Sequence, residues 1–261
     1  MTIGFVGGAL RVWRRDMESW RKYYKASLVG ALGEPILSLL AIGYGLGRFV
    51  DIDAGGASDP TLGYAHFLAP GILASAAMNA ASFEATFGSF TRMTEQKTYD
   101  AILATPIGIR EIVAGDALWA ASKATLSGTA VLLVAAGAGL VASAWACLLP
   151  FVALLIGLVF ATMGLVVSSR AQAYDFFTYY FTLVISVMYF FSGIFFPLGS
   201  LPGWAQAVAW CLPLTHAVAL SRACVSGALG GAALLHLVVL LVVLAASYTL
   251  AVRWVGRRLI A

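Results

Sequence analysis

The chain has 261 residues, 61% of them hydrophobic and 11% charged, with a mean hydropathy of +0.90. Soluble domains are about half apolar and a quarter charged, so this composition excludes a soluble globular domain and equally a disordered chain. The formal charge of +4 does not mark a nucleic-acid binder, because the basic residues flank apolar runs, and the chain reads as an integral membrane protein.

Residues 5–25 come first. Val6, Leu10, Trp13, Met17, Trp20 and Tyr24 recur at intervals of four and three, one apolar stripe of a helix, with Arg14, Arg15, Glu18, Arg21, Lys22 and Lys25 mostly opposite. A helix with tryptophans on one face and cations on the other lies in the membrane interface. It either anchors to anionic lipid alone or also docks a cytoplasmic partner. A full-length apolar run follows it, which is not the short core of a cleavable signal.

Six stretches reach the length of about 20 residues that a spanning helix needs: 28–47, 65–87, 117–141, 146–169, 176–196 and 232–254. A seventh, 205–221, is short and interrupted by Pro213. With six spans and the N-terminus inside, only Arg48 and Arg222 of the 16 basic residues fall outside, as the positive-inside rule asks. A seventh span would send Arg253, Arg257 and Arg258 outside, so 205–221 is expected to be re-entrant or interfacial, with both termini cytoplasmic.

The first span carries Glu34 beside Pro35, and Gly43, Gly45 and Gly47 suited to close helix packing; the second carries Glu84 near its inner end. A buried carboxylate faces an interior or a cavity unless it is paired, so both are candidates for a conduit or gate. For Glu34, pairing with Arg21 or Lys25 at headgroup level is the alternative. Residues 88–116 follow, with RMTEQKTYDAILATPIGIREIVAGD running from Arg92 to Asp116. This stretch is helical in composition to Thr105 and stops at Pro106. It is either a solvated connector or a docking helix offering Glu95, Lys97, Tyr99 and Asp100 to a soluble subunit.

The fifth span holds two aromatic clusters, one including Tyr174, Phe177, Tyr179, Tyr180 and Phe181, the other Tyr189, Phe190, Phe191 and Phe195. They form belts at the two membrane edges or line a conduit for sugars and acyl chains. Residues 197–231 are cut by Pro197, Pro202 and Pro213 into short helices, with Trp204 and Trp210 suited to the outer interface, so this part reads as an outer lid or exit region.

The chain lacks GxxxxGK[ST], GxSxG and HExxH, so it carries no ATPase loop, and no catalytic or metal site is expected on it. Cys147, Cys211 and Cys224 form no CxxC pair and are expected to be small hydrophobes in packed helices. A passive channel, an assembly scaffold and an intramembrane transferase stand as rivals to a transport subunit. The transferase would have to work with Asn79, three histidines and two buried glutamates.

Taken together, these residues resemble the permease subunits of the ABC-2 superfamily of exporters. Pro213, Leu214, Thr215 and His216 followed by Arg222 are similar to the C-terminal motif of that family, and Met93–Ile107 with Ser192–Leu198 is similar to its nodulation protein J branch. The resemblance implies a single all-α transmembrane domain over 1–261 in a bacterial inner membrane, paired with a second copy. Two copies of a separate ATPase would bind ATP and Mg, with no cofactor on this chain. Trp13, Arg14 and Trp20 on the interface helix, with Thr94, Glu95, Lys97, Tyr99 and Asp100 after span two, would touch the ATPases. Glu34, Glu84, Tyr179, Tyr180, Tyr189 and Phe191 would lie near a conduit. The implied cargo is an amphiphilic lipo-oligosaccharide or glycolipid, with a hydrophobic drug or a polysaccharide as the alternative.

Overall fold

The computed structural model describes residues 4–22, 24–45 and 60–260, and among them there are helices and connections but no strand. The expected end of the first span at residues 46–47 and the outer position of Arg48 lie outside the described residues. Helix α1 is Phe5–Trp20, α2 Tyr24–Gly45, α3 Pro60–Phe83, α4 Ser89–Thr94, α5 Thr98–Leu103, α6 Ile109–Gly137 and α7 Leu149–Arg170. Then come α8 Phe176–Tyr180, α9 Ser186–Phe191, α10 Gly203–Cys211, α11 Pro213–Ser226 and α12 Gly231–Ile260.

Helix α7 is the centre, packed against α3, α6 and α12. Small residues bring it close: a Cβ on Gly157 would stand 2.6 Å from the Ala121 Cα of α6. Phe160, Ile156, Leu68, Met78 and Ile112 fill the same core and are fully buried. Helices α6, α7 with its preceding turn, and α12 are long and apolar enough to cross a membrane on their own, and α10 with α11 would make a fourth crossing if they count as one bent span. Helices α2 and α3, of 22 and 24 residues, occupy the first two expected spans, each with an internal proline, Pro35 and Pro70.

Several expectations change on folding. The third span begins its helix at Ile109, so Asp116 sits inside α6 rather than in a loop. The fifth, expected over 176–196, is helical only to Phe191, where Ser192 and Gly193, with φ +74°, end it, and it contains a wide π turn at Phe181–Ile185. A second π turn, Glu84–Gly88, joins α3 to α4. Pro213 does break 205–221: α10 and α11 meet at 85°, with Pro213 in the first turn of α11, where its missing N–H costs nothing.

The single docking helix expected before Pro106 is two helices. The chain turns at Glu95–Lys97, with Lys97 at φ +51°, and this left-handed residue swings Tyr99 inward. Of the cysteines only Cys224 is buried, whereas Cys147 and Cys211 are exposed.

Helix α1 lies against α6. A Cβ on Gly115 would be 2.5 Å from the Val12 Cβ and 2.7 Å from the Ala9 carbonyl oxygen, so only glycine allows this approach. The buried face of α1 is Gly8, Ala9, Val12 and Asp16. It lies roughly 100° round the helix from the Val6–Leu10–Trp13–Met17 stripe, whose Val6 and Leu10 stay exposed. The helix therefore turns one face to α6 and leaves the N-terminal part of its apolar stripe exposed.

Candidate functional site

Where α1, the π turn, α4, α5 and α6 converge, three buried acids meet three half-buried bases. Glu84 accepts from Arg92 Nη1 at 2.7 Å, Lys123 Nζ at 2.6 Å and Trp119 Nε1 at 3.0 Å. Asp116 Oδ2 accepts from Ser89 Oγ at 2.9 Å, from Arg92 Nη2 at 3.1 Å and from the Tyr99 hydroxyl. Asp16 Oδ1 accepts from Arg15 and lies 4.0 Å from Arg92 Nε. Arg92 thus faces all three carboxylates. A charge buried at this depth survives only if it is paired, and here each one is.

The electrostatics follow from this arrangement. Burial disfavours the Arg92 charge, but Asp116, Glu84 and Asp16 outweigh it and hold the guanidinium protonated well above its ordinary range. Burial and the neighbouring Asp116 push the Tyr99 hydroxyl well up, so it remains a donor. Burial, reinforced by Asp116, pushes the Asp16 carboxyl from 3.8 up to about 7 against the opposing pull of Arg92 and Arg15. Asp16 Oδ2, Asp116 Oδ1, Arg15 Nη1 and Arg92 Nε have no hydrogen-bond partner among the described residues, so two acids and two arginines of the cluster keep unmet hydrogen-bonding capacity.

Above the cluster is a cavity of about 770 Å³. Its polar lining includes Ser27, Glu34, Ser38, Ser75, Asn79, Glu84, Lys123 and Ser127; its apolar lining includes Trp20, Ile72, Phe83, Leu126, Phe181 and Tyr189. Below is a second cavity of about 470 Å³ edged by Arg15, Asp16, Arg92, Gln96 and Trp119. Glu84 and Gly88 line both, so the π turn is their common wall.

At the other end of the bundle, Arg222 Nη2 donates to the Gly193 carbonyl at 2.6 Å, and its guanidinium also reaches the carbonyls of Phe67 and Ile194 and stacks over the Phe67 ring at 3.8 Å. It supplies donors to backbone that left the helix after Phe191. His216 Nε2 donates to the Trp210 carbonyl at 3.0 Å, which leaves its Nδ1 to accept from His236 Nδ1 at 2.9 Å. Pro213 sets the bend that brings His216 into this position.

The structure therefore divides the expected residues. Trp13 donates to Ser122 Oγ at 3.0 Å and Trp20 packs edge-on to Trp119, so both tie α1 to α6. Arg14 is exposed and pairs with Glu18. Glu95, Lys97 and Asp100 are exposed, but Tyr99 is buried and offers no surface to a partner. Thr94 receives Arg258 Nη2 at 3.2 Å. Glu34 forms no ion pair with Arg21 or Lys25 among the described residues and lines the upper cavity instead. Of the aromatics, Tyr189 reaches that cavity, Tyr180 is buried, Phe191 is half-buried, and Tyr179 is exposed.

Asp16, Arg92, Asp116, Trp119 and Lys123 were not expected at a common site. Two signals point to them. Lys123 is a lone cation within an apolar run, at a depth from the inner side comparable to that of Glu84 in the neighbouring run. Asp16 continues the Gly8–Val12 spacing of the buried face of α1.

Comparison with known proteins agrees with this architecture. Residues 9–226 match the family described as ABC-2 type transporter. The chain is 38% identical to nodulation protein J of Sinorhizobium fredii (strain NBRC 101917 / NGR234) over 254 residues, 96% of this chain and 94% of the relative. It is 39% identical to nodulation protein J of Rhizobium leguminosarum bv. viciae over 96% of this chain and 94% of the relative. With that of Rhizobium leguminosarum bv. trifolii the identity is 43% over 83% and 81%. No solved structure matches the chain. A helical membrane domain matched over most of its length, with relatives of one name on nearly the same span, belongs to the ABC-2 type transporter family.

Proposed function

We propose that the chain is the membrane half of an ATP-driven exporter that moves an amphiphilic lipo-oligosaccharide or glycolipid outward. It works as a homodimer of six-span subunits, with both termini cytoplasmic, in a bacterial inner membrane. ATP and Mg are bound by a separate ATPase present in two copies. The observation that carries this reading is the buried charge cluster. It ties the two surface elements a soluble subunit would press on, α1 and the α4–α5 turn, to the π turn of α3 and to α6. Exposed Arg14, Glu95, Lys97 and Asp100 supply the docking charges, while Trp13, Trp20, Thr94 and Tyr99 carry movement inward.

A push on Thr98–Leu103 reaches Asp116 through Tyr99 and reaches Glu84 through Arg92. Such coupling requires the ATP-bound and free states to differ in their contacts here, because a partner shifts an equilibrium only by its differential affinity. The cavity above, lined by hydroxyls and Asn79 as well as by aromatic rings, suits a cargo having both a sugar and an acyl part. Glu34 and Tyr189 face it, and Tyr180, Phe191 and Tyr179 continue the aromatic path of α8–α9.

The test is purification of the tagged chain in mild detergent from its native host, followed by mass spectrometry of what is retained. The expected result is a stoichiometric P-loop ATPase and a bound glycolipid, with the ATPase reduced about tenfold when Glu95 and Lys97 are exchanged in sign together, an effect of rim charges. Recovery of the chain alone across detergents would favour a channel or an intramembrane transferase. A bound drug-like molecule or polysaccharide would replace the cargo.

A further inference from the structure

The C-terminal ends of α7 and α12 carry a second basic group, unrelated to the charge cluster. The Trp254 ring has the Arg170 guanidinium at 4.0 Å from its centre and that of Arg257 at 4.8 Å, so two like charges stand within about 9 Å of each other on one indole. That is inside the screening length of about 10 Å at ordinary ionic strength, and the charges repel. Arg253 lies one residue away and is also exposed.

None of the ion pairs among the described residues includes Arg170, Arg253 or Arg257. Nearby Arg258 differs: it donates to the carbonyls of Ser168 and Ala171 at 2.7 and 2.6 Å and so closes the end of α7 with protein acceptors. The two guanidiniums on Trp254 are therefore held in place, exposed at their free edges, and lack an acid. Helix α12 has 30 residues, about 45 Å at 1.5 Å per residue, against a hydrocarbon thickness of about 30 Å. The excess is about 15 Å, and the expected span 232–254 leaves Arg257 and the end of α12 beyond it on the inner side, at headgroup depth.

The geometry points to a binding site for an anionic phospholipid, its phosphodiester held between the Arg170 and Arg257 guanidiniums with Trp254 as the platform. An arginine fork suits phosphate oxygens, and tryptophan belongs at headgroup depth. Its occupancy would fasten the end of α12 to the end of α7, beside the Arg258 contact with Thr94 on α4.

The full-length protein in detergent is incubated with phosphatidylglycerol or phosphatidylcholine, and retained lipid is counted by native mass spectrometry. The wild type is expected to retain phosphatidylglycerol preferentially. The double variant Arg170→Gln/Arg257→Gln should lose that preference by roughly tenfold or more, while Arg170→Lys/Arg257→Lys keeps part of it. Gel filtration checks the fold, which exposed substitutions leave unchanged. Equal retention of both lipids by the wild type, or an unchanged preference in the glutamine variant, overturns the site. Displacement of the lipid by an equal concentration of inorganic phosphate also overturns it, since the ligand would then be free phosphate.

Discussion

The two ends of the bundle handle buried charge in different ways. Near the α1–α6 contact, side chains neutralise side chains: Arg92 faces Glu84, Asp116 and Asp16, and each acid has a second cationic or hydroxyl neighbour. At the opposite end Arg222 has no acidic partner among the described residues and gives its donors to backbone carbonyls that the broken segment leaves open. A carbonyl clamp has one arrangement, because the backbone it serves is fixed. A cluster of six ionisable groups offers more than one pairing, since Arg92 already faces three acids. The difference separates a part with one set of acceptors from a part with several.

The sharpest way to break the comparison is Glu84→Ala. It strands Lys123 and the Trp119 N–H and takes from Arg92 one of its three acids, and loss of one member of a buried ion pair costs about 3–5 kcal/mol. Thermal unfolding in detergent should fall accordingly, and the loss should shrink when Lys123→Met is added, because one stranded charge is removed. Arg222→Gln should cost less, about 1–3 kcal/mol for carbonyls left without a strong donor. A second substitution among the acids should not rescue it. If Glu84→Ala proved as mild as an exposed change, the cluster would not be holding α1, the π turn and α6 together.

The finest test is pH. Asp16 holds its proton more tightly in the folded chain, with a value of about 7 against 3.8 ordinarily. Between those values the folded chain binds more protons than the unfolded one, so stability falls as pH rises through that window and levels off above about 7. Asp16→Asn, which keeps the shape of the protonated form, should flatten this dependence and leave the variant the more stable of the two at pH 8. Thermal unfolding measured from pH 5 to 8 reads this directly; parallel curves for the two proteins would refute it.

Much of the fold was legible because apolar length and turn chemistry are local. The runs that became α6, α7 and α12, the break at Pro213, and α1 as a separate helix all follow from residue spacing. Tyr99 was expected at the surface, but its environment is set by a left-handed Lys97, which no periodicity marks. Asp16 continues the Gly8–Val12 spacing, yet what buries it is the approach to a glycine at position 115 on another helix. The π turns were equally hidden, because an extra residue within a helical turn leaves composition unchanged. Glu84 stood out as a buried acid, but its partners come from 8, 35 and 39 residues away.

The π turn at Glu84–Gly88 has one more consequence, as a partition. Its residues line the amphiphilic cavity on one side and the polar cavity on the other. A shift of that turn toward one cavity would enlarge the other. Ligands that favoured opposite shifts would compete without touching, and by linkage each would weaken the other by the same factor.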